Sequence, residues 1–475
     1  MLTRLRVSGF KNLVDVDVRF GPFTCIAGAN GAGKSNLLDA ILFLGALADR
    51  TLIDAALSVR DQGAKTGDIR GLFHHSGERF AEEMMFEVEM IVPPEGVDDL
   101  GRPFTATATL VRYSLSLRYR AGDEAHSQSG LEITHEELIP LSLTDADRHL
   151  GFAHRPAWRQ SVVHGVRRHG YISTEGGEAE RRVHLHPDGG SDSKPQTLVA
   201  ARLPRSVLSA AHAAEAPTAA LVRREMRSWK LLQLEPAALR EPDSLTAPTE
   251  MAPDGGHLAA TLYRLAHSPE NGGDPEAVYA EVANRLSFLI DDVRRLEVQR
   301  DERRGLLTLY ATGADGTRHS ARSLSEGTLR FLALILHSLE PEPRGLICLE
   351  EPENGIHPER IPEMIQLLAD LSSEVNENRE YDQADGLRQV IINTHSPAVV
   401  LQVPEDSLLL ASRSDGLQLS CLPGTWRAKS SSQRLIPRGH LLAYLNPVAN
   451  LPSMHRVVDR ADLGQYRFQF EEPSE

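Results

Sequence analysis

The sequence predicts an α/β fold with a mixed, largely parallel sheet and flanking helices. Three observations predict it. A Gly-rich loop at 28–34 lies between a short apolar run and a Leu- and Ala-rich helical stretch. Two later apolar runs, 345–350 and 389–393, each end in polar residues. Strand-like and helix-like segments alternate between about 327 and 402. Alternation of this kind predicts parallel strands covered by helices.

Residues 2–8 and 13–20 alternate in the period of half-buried strands, with Gly9 to Asn12 as the turn between them. Phe23 to Ala27 is a third short apolar run that leads into the Gly-rich loop, and Asn36 to Ala48 reads as a helix. Residues 84–92 and 104–119 read as further strands, separated by a Pro-Pro-Glu-Gly turn region. From about 120 to 215 the pattern weakens, and Arg and His are dense between Arg148 and His186. Segments 216–240 and 256–291 have helical spacing. Leu296 to Val298 and Leu306 to Ala311 read as strands. After them come a helix at about 327–339, a strand at 345–350, a helix at 359–373, a strand at 389–393 and a helix at 396–402. The expected organisation is a lobe at 1–120, an inserted mixed α+β region at 121–320, a second lobe at 321–420 and a tail at 421–475.

Composition bounds the function. The chain has 475 residues, 41% hydrophobic and 25% charged, which excludes wholesale disorder. A net charge of -15 opposes nucleic-acid phosphate in bulk, so any such contact requires a local patch. Arg155, Arg159, Arg167, Arg168, Arg181 and Arg182 could form one for DNA or a protein partner, or could simply be solvated. Cys25, Cys348 and Cys421 have no C-x-x-C spacing, which argues against a zinc ribbon or a disulfide framework. Apolar runs fall far short of the roughly 20 residues that span a bilayer, and the start of the chain lacks a signal peptide's apolar core. A soluble, cytoplasmic protein with no membrane domain is expected.

Four motifs carry chemistry. Gly28-Ala29-Asn30-Gly31-Ala32-Gly33-Lys34-Ser35 is a G-x-x-x-x-G-K-S loop after a strand and before a helix. Its glycines let backbone N–H groups wrap a phosphate chain at a helix N-terminus. Lys34 would bridge the β- and γ-phosphates, and Ser35 would hold Mg²⁺. Leu346-Ile347-Cys348-Leu349-Glu350-Glu351-Pro352 describes a buried strand ending in two carboxylates, one for the Mg²⁺ shell and the next for the attacking water. Leu324-Ser325-Glu326-Gly327-Thr328 opens a helix, either as an anion site or as an ordinary cap. Asn393-Thr394-His395-Ser396 ends a second apolar strand, where ligands bind in such sheets.

In that order these motifs resemble the ABC-type ATPase head of the SMC, RecF and OLD proteins, and most closely the short RecF-like bacterial ATPases without a long coiled coil. Gly9-Phe10-Lys11-Asn12-Leu13 resembles the same group. The resemblance implies ATP and Mg²⁺ as ligands. It implies that Gly28, Asn30, Gly31, Gly33, Lys34, Ser35 and Asn36 hold phosphates, with Lys11 approaching the nucleotide. Ser35 and Glu350 would serve Mg²⁺, Glu351 would orient water, and His395 would contact the γ-phosphate. Ser325 and Gly327 would bind the nucleotide of a second subunit in a homodimer, and Asn354 to His357 would touch that subunit. Glu326 stands where the group usually has a glycine, and Glu350 where it has an aspartate. Gln62 is the candidate for the group's Q-loop glutamine. OLD proteins continue into a Toprim nuclease domain with clustered acids. Here eighty residues follow His395, without a D-x-D and with Asp459 and Asp462 wrongly spaced. No nuclease is expected. The function the resemblance implies is a nucleotide-dependent dimerisation switch, in an anti-phage defence complex with a separate effector protein or, alternatively, in RecF-like DNA repair.

Overall fold

The computed structural model describes residues 1–59, 69–98, 100–121, 130–165, 169–178, 180–188, 194–269, 274–290, 293–340, 345–376, 386–429 and 433–445. The chain divides into two compact units, Met1–Ile436 and Pro437–Glu475. In the second, the described residues form one short helix, Arg438–Leu445.

The first unit is built from the following principal elements in chain order. Strands β1 (Leu2–Phe10), β2 (Leu13–Arg19) and β3 (Phe23–Gly28) precede helix α1 (Lys34–Leu47). Strands β4 (Glu83–Ile91), β5 (Leu110–Arg120), β6 (Gly130–Pro140), β7 (Ile172–Glu175), β8 (Arg182–Leu185) and β9 (Gln196–Val199) follow. Helix α2 (Pro217–Arg227) leads to β10 (Lys230–Leu232), then to α3 (Leu258–Ala266) and α4 (Pro275–Leu289). Helix α5 (Glu326–Ser338), β11 (Gly345–Glu350), α6 (Ile361–Asp370) and β12 (Arg388–Thr394) come next. Strands β13 (Leu408–Arg413), β14 (Leu417–Cys421) and β15 (Arg434–Leu435) close the unit.

Two large sheets result. An eight-stranded antiparallel sheet has the order β9-β8-β7-β6-β5-β4-β1-β2, and a seven-stranded sheet has the order β10-β11-β12-β3-β13-β14-β15. In the second, β10, β11, β12, β3 and β13 are mutually parallel. Their C-terminal ends therefore meet along one edge, where ligands bind in open α/β sheets. All six residues of β3 are buried, as a central strand requires. Strands β1 and β2 instead alternate buried and part-exposed positions.

One hydrophobic core joins the antiparallel sheet, α1 and the parallel sheet, and includes Leu5, Phe86, Leu38, Phe43, Ile26 and Cys348. Phe10, Phe43 and Phe86 pack against one another with ring centroids 5.5–5.8 Å apart, Phe10 and Phe43 stacked and Phe86 edge-on or tilted to both. Helix α1 is apolar on more than one face, as a helix buried between layers must be. Among the described residues no helix is long and apolar enough to cross a membrane.

Two stretches differ from their sequence reading. The span 216–240 is not one helix. It breaks at Ser228, and Lys230–Leu232 pairs in parallel with Ile347–Leu349. Three residues carry no periodicity, so that strand exists only through its neighbour. The weak span 120–215 holds β6 to β9, which extend the sheet begun by β1 and β2. The segment 121–320 thus supplies four strands to one sheet and the edge strand to the other. Its dense Arg and His are in part structural: His149 lies 2.8 Å from the fully buried Glu89, which Arg112 also bonds at 2.9 Å.

Candidate functional site

The phosphate loop is shaped by close backbone approach. A Cβ on Gly28 would lie 2.4 Å from the carbonyl oxygen of Ala411, and one on Gly33 would lie 2.0 Å from the Asn12 amide. Gly31 and Gly33 have φ of 76° and 104°, which non-glycine residues rarely adopt. Gly33 caps α1, whose first turn carries no acidic residue, so its free N–H groups face the loop uncompensated. Lys34 is 6% exposed and folds back to donate to the carbonyl oxygens of Gly28 (2.8 Å) and Ala29 (3.0 Å). Burial lowers its pKa, against the opposing pull of Glu351, Glu350 and Glu353. Asn36 donates to Asn12 at 2.8 Å, and Asn12 donates to Ala32 at 3.2 Å, so the β1–β2 turn braces the loop.

Across the cavity, β11 ends at Glu350, which accepts from Asn393 at 3.0 Å. Glu351 has φ 45°, a left-handed value for a non-glycine residue. Such a conformation costs on the order of 1–3 kcal/mol and marks functional turns. Its N–H donates to the Asn393 carbonyl at 2.9 Å. One carboxylate oxygen lies 2.7 Å from His395 Nδ1, and the other accepts from Asn354 at 3.0 Å. The carboxylate is therefore held from both sides. Glu353 is 8% exposed; burial raises its pKa, and the Thr394 hydroxyl donates to it.

A cavity of 720 Å³ at this edge is lined by Asn30, Gly31, Gly33, Lys34, Ser35, Asn36, Glu350 and Glu351. Gly28 enters through its carbonyl contact with Lys34, and His395 through Glu351. Lys11 does not line it. Lys11 sits at φ 46°, and its ammonium lies 2.8 Å from Asp39, a carboxylate with 0% exposure on α1. A buried carboxylate needs a cation, so Lys11 turns to α1 and Asn12 faces the cavity instead.

Ser325 and Gly327 also lie outside this cavity. Ser325 caps α5, accepting from the Thr328 N–H at 3.1 Å. A Cβ on Gly327 would lie 3.3 Å from the Gly355 carbonyl oxygen, and one on Gly355 would lie 2.6 Å from the Glu326 carboxyl carbon. The α5 N-terminus is thus seated on the loop that follows Glu351. Glu326 is neutralised by Arg330 at 2.9 Å.

The cavity also takes in Asn393, from the motif at the end of the second apolar strand, and Gln233, Arg330 and Arg413, which the sequence did not single out. Gln233 directly follows β10, whose last pair is Leu232 with Leu349, one residue before Glu350. The sequence carried no signal for Gln233, because the three-residue strand before it has no periodicity of its own. Gln62, Arg167, Arg168, Asp459 and Asp462 lie outside the described residues. Of the four described arginines of the patch, three have partners and Arg182 is exposed. Arg159 pairs with Asp147, Arg181 lies 3.8 Å from Glu132, and Arg155 donates to the Asn376 carbonyl at 3.1 Å.

Residues 185–401 match the family described as "AAA domain, putative AbiEii toxin, Type IV TA system", and residues 4–116 match a second AAA domain family. RecF, the DNA replication and repair protein, of Anaeromyxobacter dehalogenans is 28% identical over 357 residues, covering 72% of this chain and 80% of that protein. These matches support an ABC-type ATPase of the SMC/RecF/OLD-like group. RecF of Clavibacter sepedonicus is 34% identical over 26% of this chain, and an OLD nuclease of Thermus scotoductus is 54% identical over 9%. The chain spans 30% of that RecF and 8% of that nuclease. Among solved structures, an SMC head bound to the C-terminal winged-helix domain of ScpA is similar, at 15% identity and a TM-score of 0.44 over 88% of this chain and 98% of that one. In this chain the phosphate loop and the paired carboxylates share one cavity at the C-terminal edge of the parallel sheet.

Proposed function

We propose that the chain binds and hydrolyses ATP with Mg²⁺ at this cavity, and that the nucleotide switches it between monomer and homodimer. The observation that carries this is the convergence of Lys34, Glu350 and Glu351 on one cavity over a helix N-terminus. Lys34 gives up two carbonyl contacts for the phosphates, a stronger, charge-assisted partner. Ser35 and Glu350 offer the hard oxygen donors that Mg²⁺ takes. Bound there, Mg²⁺ would neutralise charge on the phosphate oxygens. Glu351 accepts the proton of the attacking water, and His395 and Asn354 hold its carboxylate in place. Gln233 lines the same cavity, next to the strand that ends at Glu350, and takes the Q-loop role in place of Gln62. Ser325 and Gly327, turned away from their own cavity, serve the nucleotide of the partner subunit.

Lys34→Ala tests the phosphate site. It should weaken ATP binding roughly thirty- to a hundredfold, the scale of one lost charge-assisted hydrogen bond. Equilibrium binding measured by calorimetry checks this, and unchanged affinity would place ATP elsewhere.

The biological setting proposed is the ATPase subunit of a prokaryotic anti-phage defence complex, with a separate effector protein. The toxin–antitoxin description of the family matched by 185–401 supports it. The RecF similarity over 72% of the chain supports a second reading, a RecF-like repair ATPase acting on DNA. The partners of Arg155, Arg159 and Arg181 weigh against that one. Co-purification from the native host separates the two: an effector protein or DNA.

A further inference from the structure

We infer that Arg413 is the platform for the purine base of the bound nucleotide. The inference rests on the ATP site proposed above and extends it from the phosphates to the nucleoside. The parallel strands set the direction. β3 carries the phosphate loop, with β12 and then β11 on one side of it, and β13 on the other. The carboxylates Glu350 and Glu351 and their partner Asn393 all belong to the β11–β12 side. A triphosphate whose γ end faces those carboxylates leaves its nucleoside toward β13.

Arg413 is the last residue of β13, two beyond Ala411, which pairs with Gly28. By count it lies alongside Asn30 of the loop. It is exposed and lines the same cavity as Lys34. Its turn is anchored to the loop's own brace: the Leu417 N–H donates to the Asn12 carbonyl at 2.9 Å, and a Cβ on Gly416 would lie 2.6 Å from that oxygen.

Two features of the lining point to the base. The other cavity cations are engaged, Lys34 by carbonyl oxygens and Arg330 by Glu326. Among the described residues Arg413 has no carboxylate or carbonyl partner. No aromatic side chain lines the cavity among the described residues. A purine ring presents a flat π face to whatever surrounds it. A guanidinium is planar and weakly hydrated, and it stacks on such a face where an ammonium does not.

The test compares ATP with inorganic tripolyphosphate, which has no base. Arg413→Ala should weaken ATP binding about tenfold, the scale of a desolvated cation–π contact, and leave tripolyphosphate unchanged. Arg413→Tyr, which restores a flat platform, should recover ATP affinity, whereas Arg413→Lys should not. Retained tripolyphosphate binding also reports that the variants fold. An equal loss for both ligands would make Arg413 a phosphate contact and overturn the inference, as would unchanged ATP affinity in Arg413→Ala. A wild-type chain that binds neither ligand would overturn the phosphate-loop reading itself. Lys34→Ala weakening both ligands, beside an inert Arg413→Ala, would reject Arg413 alone.

Discussion

Glu351→Gln is expected to retain ATP while turning it over about a hundred- to ten-thousandfold more slowly. General base catalysis by a positioned side chain contributes on that order. The substitution keeps size and shape, so the φ of 45° at this turn and the backbone bond to Asn393 have no reason to change. The amide cannot accept a proton from water. It also offers only one acceptor oxygen, while the native carboxylate faces both His395 Nδ1 and the Asn354 amide. One of those two contacts must be lost or reversed. Phosphate release measured alongside equilibrium ATP binding separates the two effects. Undiminished release would remove Glu351 from the role of base.

The parts of the site legible in sequence were those made of contiguous residues. The loop 28–35 and the run Leu346 to Glu351 each carry their chemistry within a few positions. Buried parallel strands such as 345–350 read as apolar runs because neither face meets water. What was not legible depended on pairing across the chain. β10 is three residues long and is fixed by Ile347 to Leu349, more than a hundred positions later, so Gln233 carried no mark of its place. Arg413 ends a strand that sequence reading stopped short of. Lys11 and Asn12 are adjacent, and only one faces the cavity. That choice rests on a positive φ and on the buried Asp39, neither of which spacing records. The strands between 130 and 199 were blurred by polar partners such as Glu136, which is fully buried and accepts from the Val207 and Leu208 N–H groups at 2.8 and 2.9 Å.

Ser325→Arg is expected to abolish ATP-dependent dimerisation and leave ATP binding to the phosphate loop nearly intact. Ser325 is exposed and lies outside its own chain's cavity. It caps α5 through the Thr328 N–H, and the N–H groups before Thr328 have no partner within the helix. In the proposed homodimer those groups meet the γ-phosphate on the opposite protomer, so two nucleotides are buried between subunits related by a two-fold axis. An arginine there adds bulk at the contact and holds the subunits apart. It also removes the cap, at a cost of about 0.5–2 kcal/mol. Ser325→Ala removes the cap without the bulk, so loss of dimer in the arginine variant alone assigns the effect to the interface. The measurement is light scattering in the Glu351→Gln background with ATP and Mg²⁺, where slow turnover holds the nucleotide in place. Glu351→Gln should double in mass on adding ATP, and the Ser325→Arg form should remain a monomer while still binding ATP. If the Glu351→Gln protein does not associate, or if the double variant associates equally well, the shared-nucleotide interface is wrong and the switch must act within one chain.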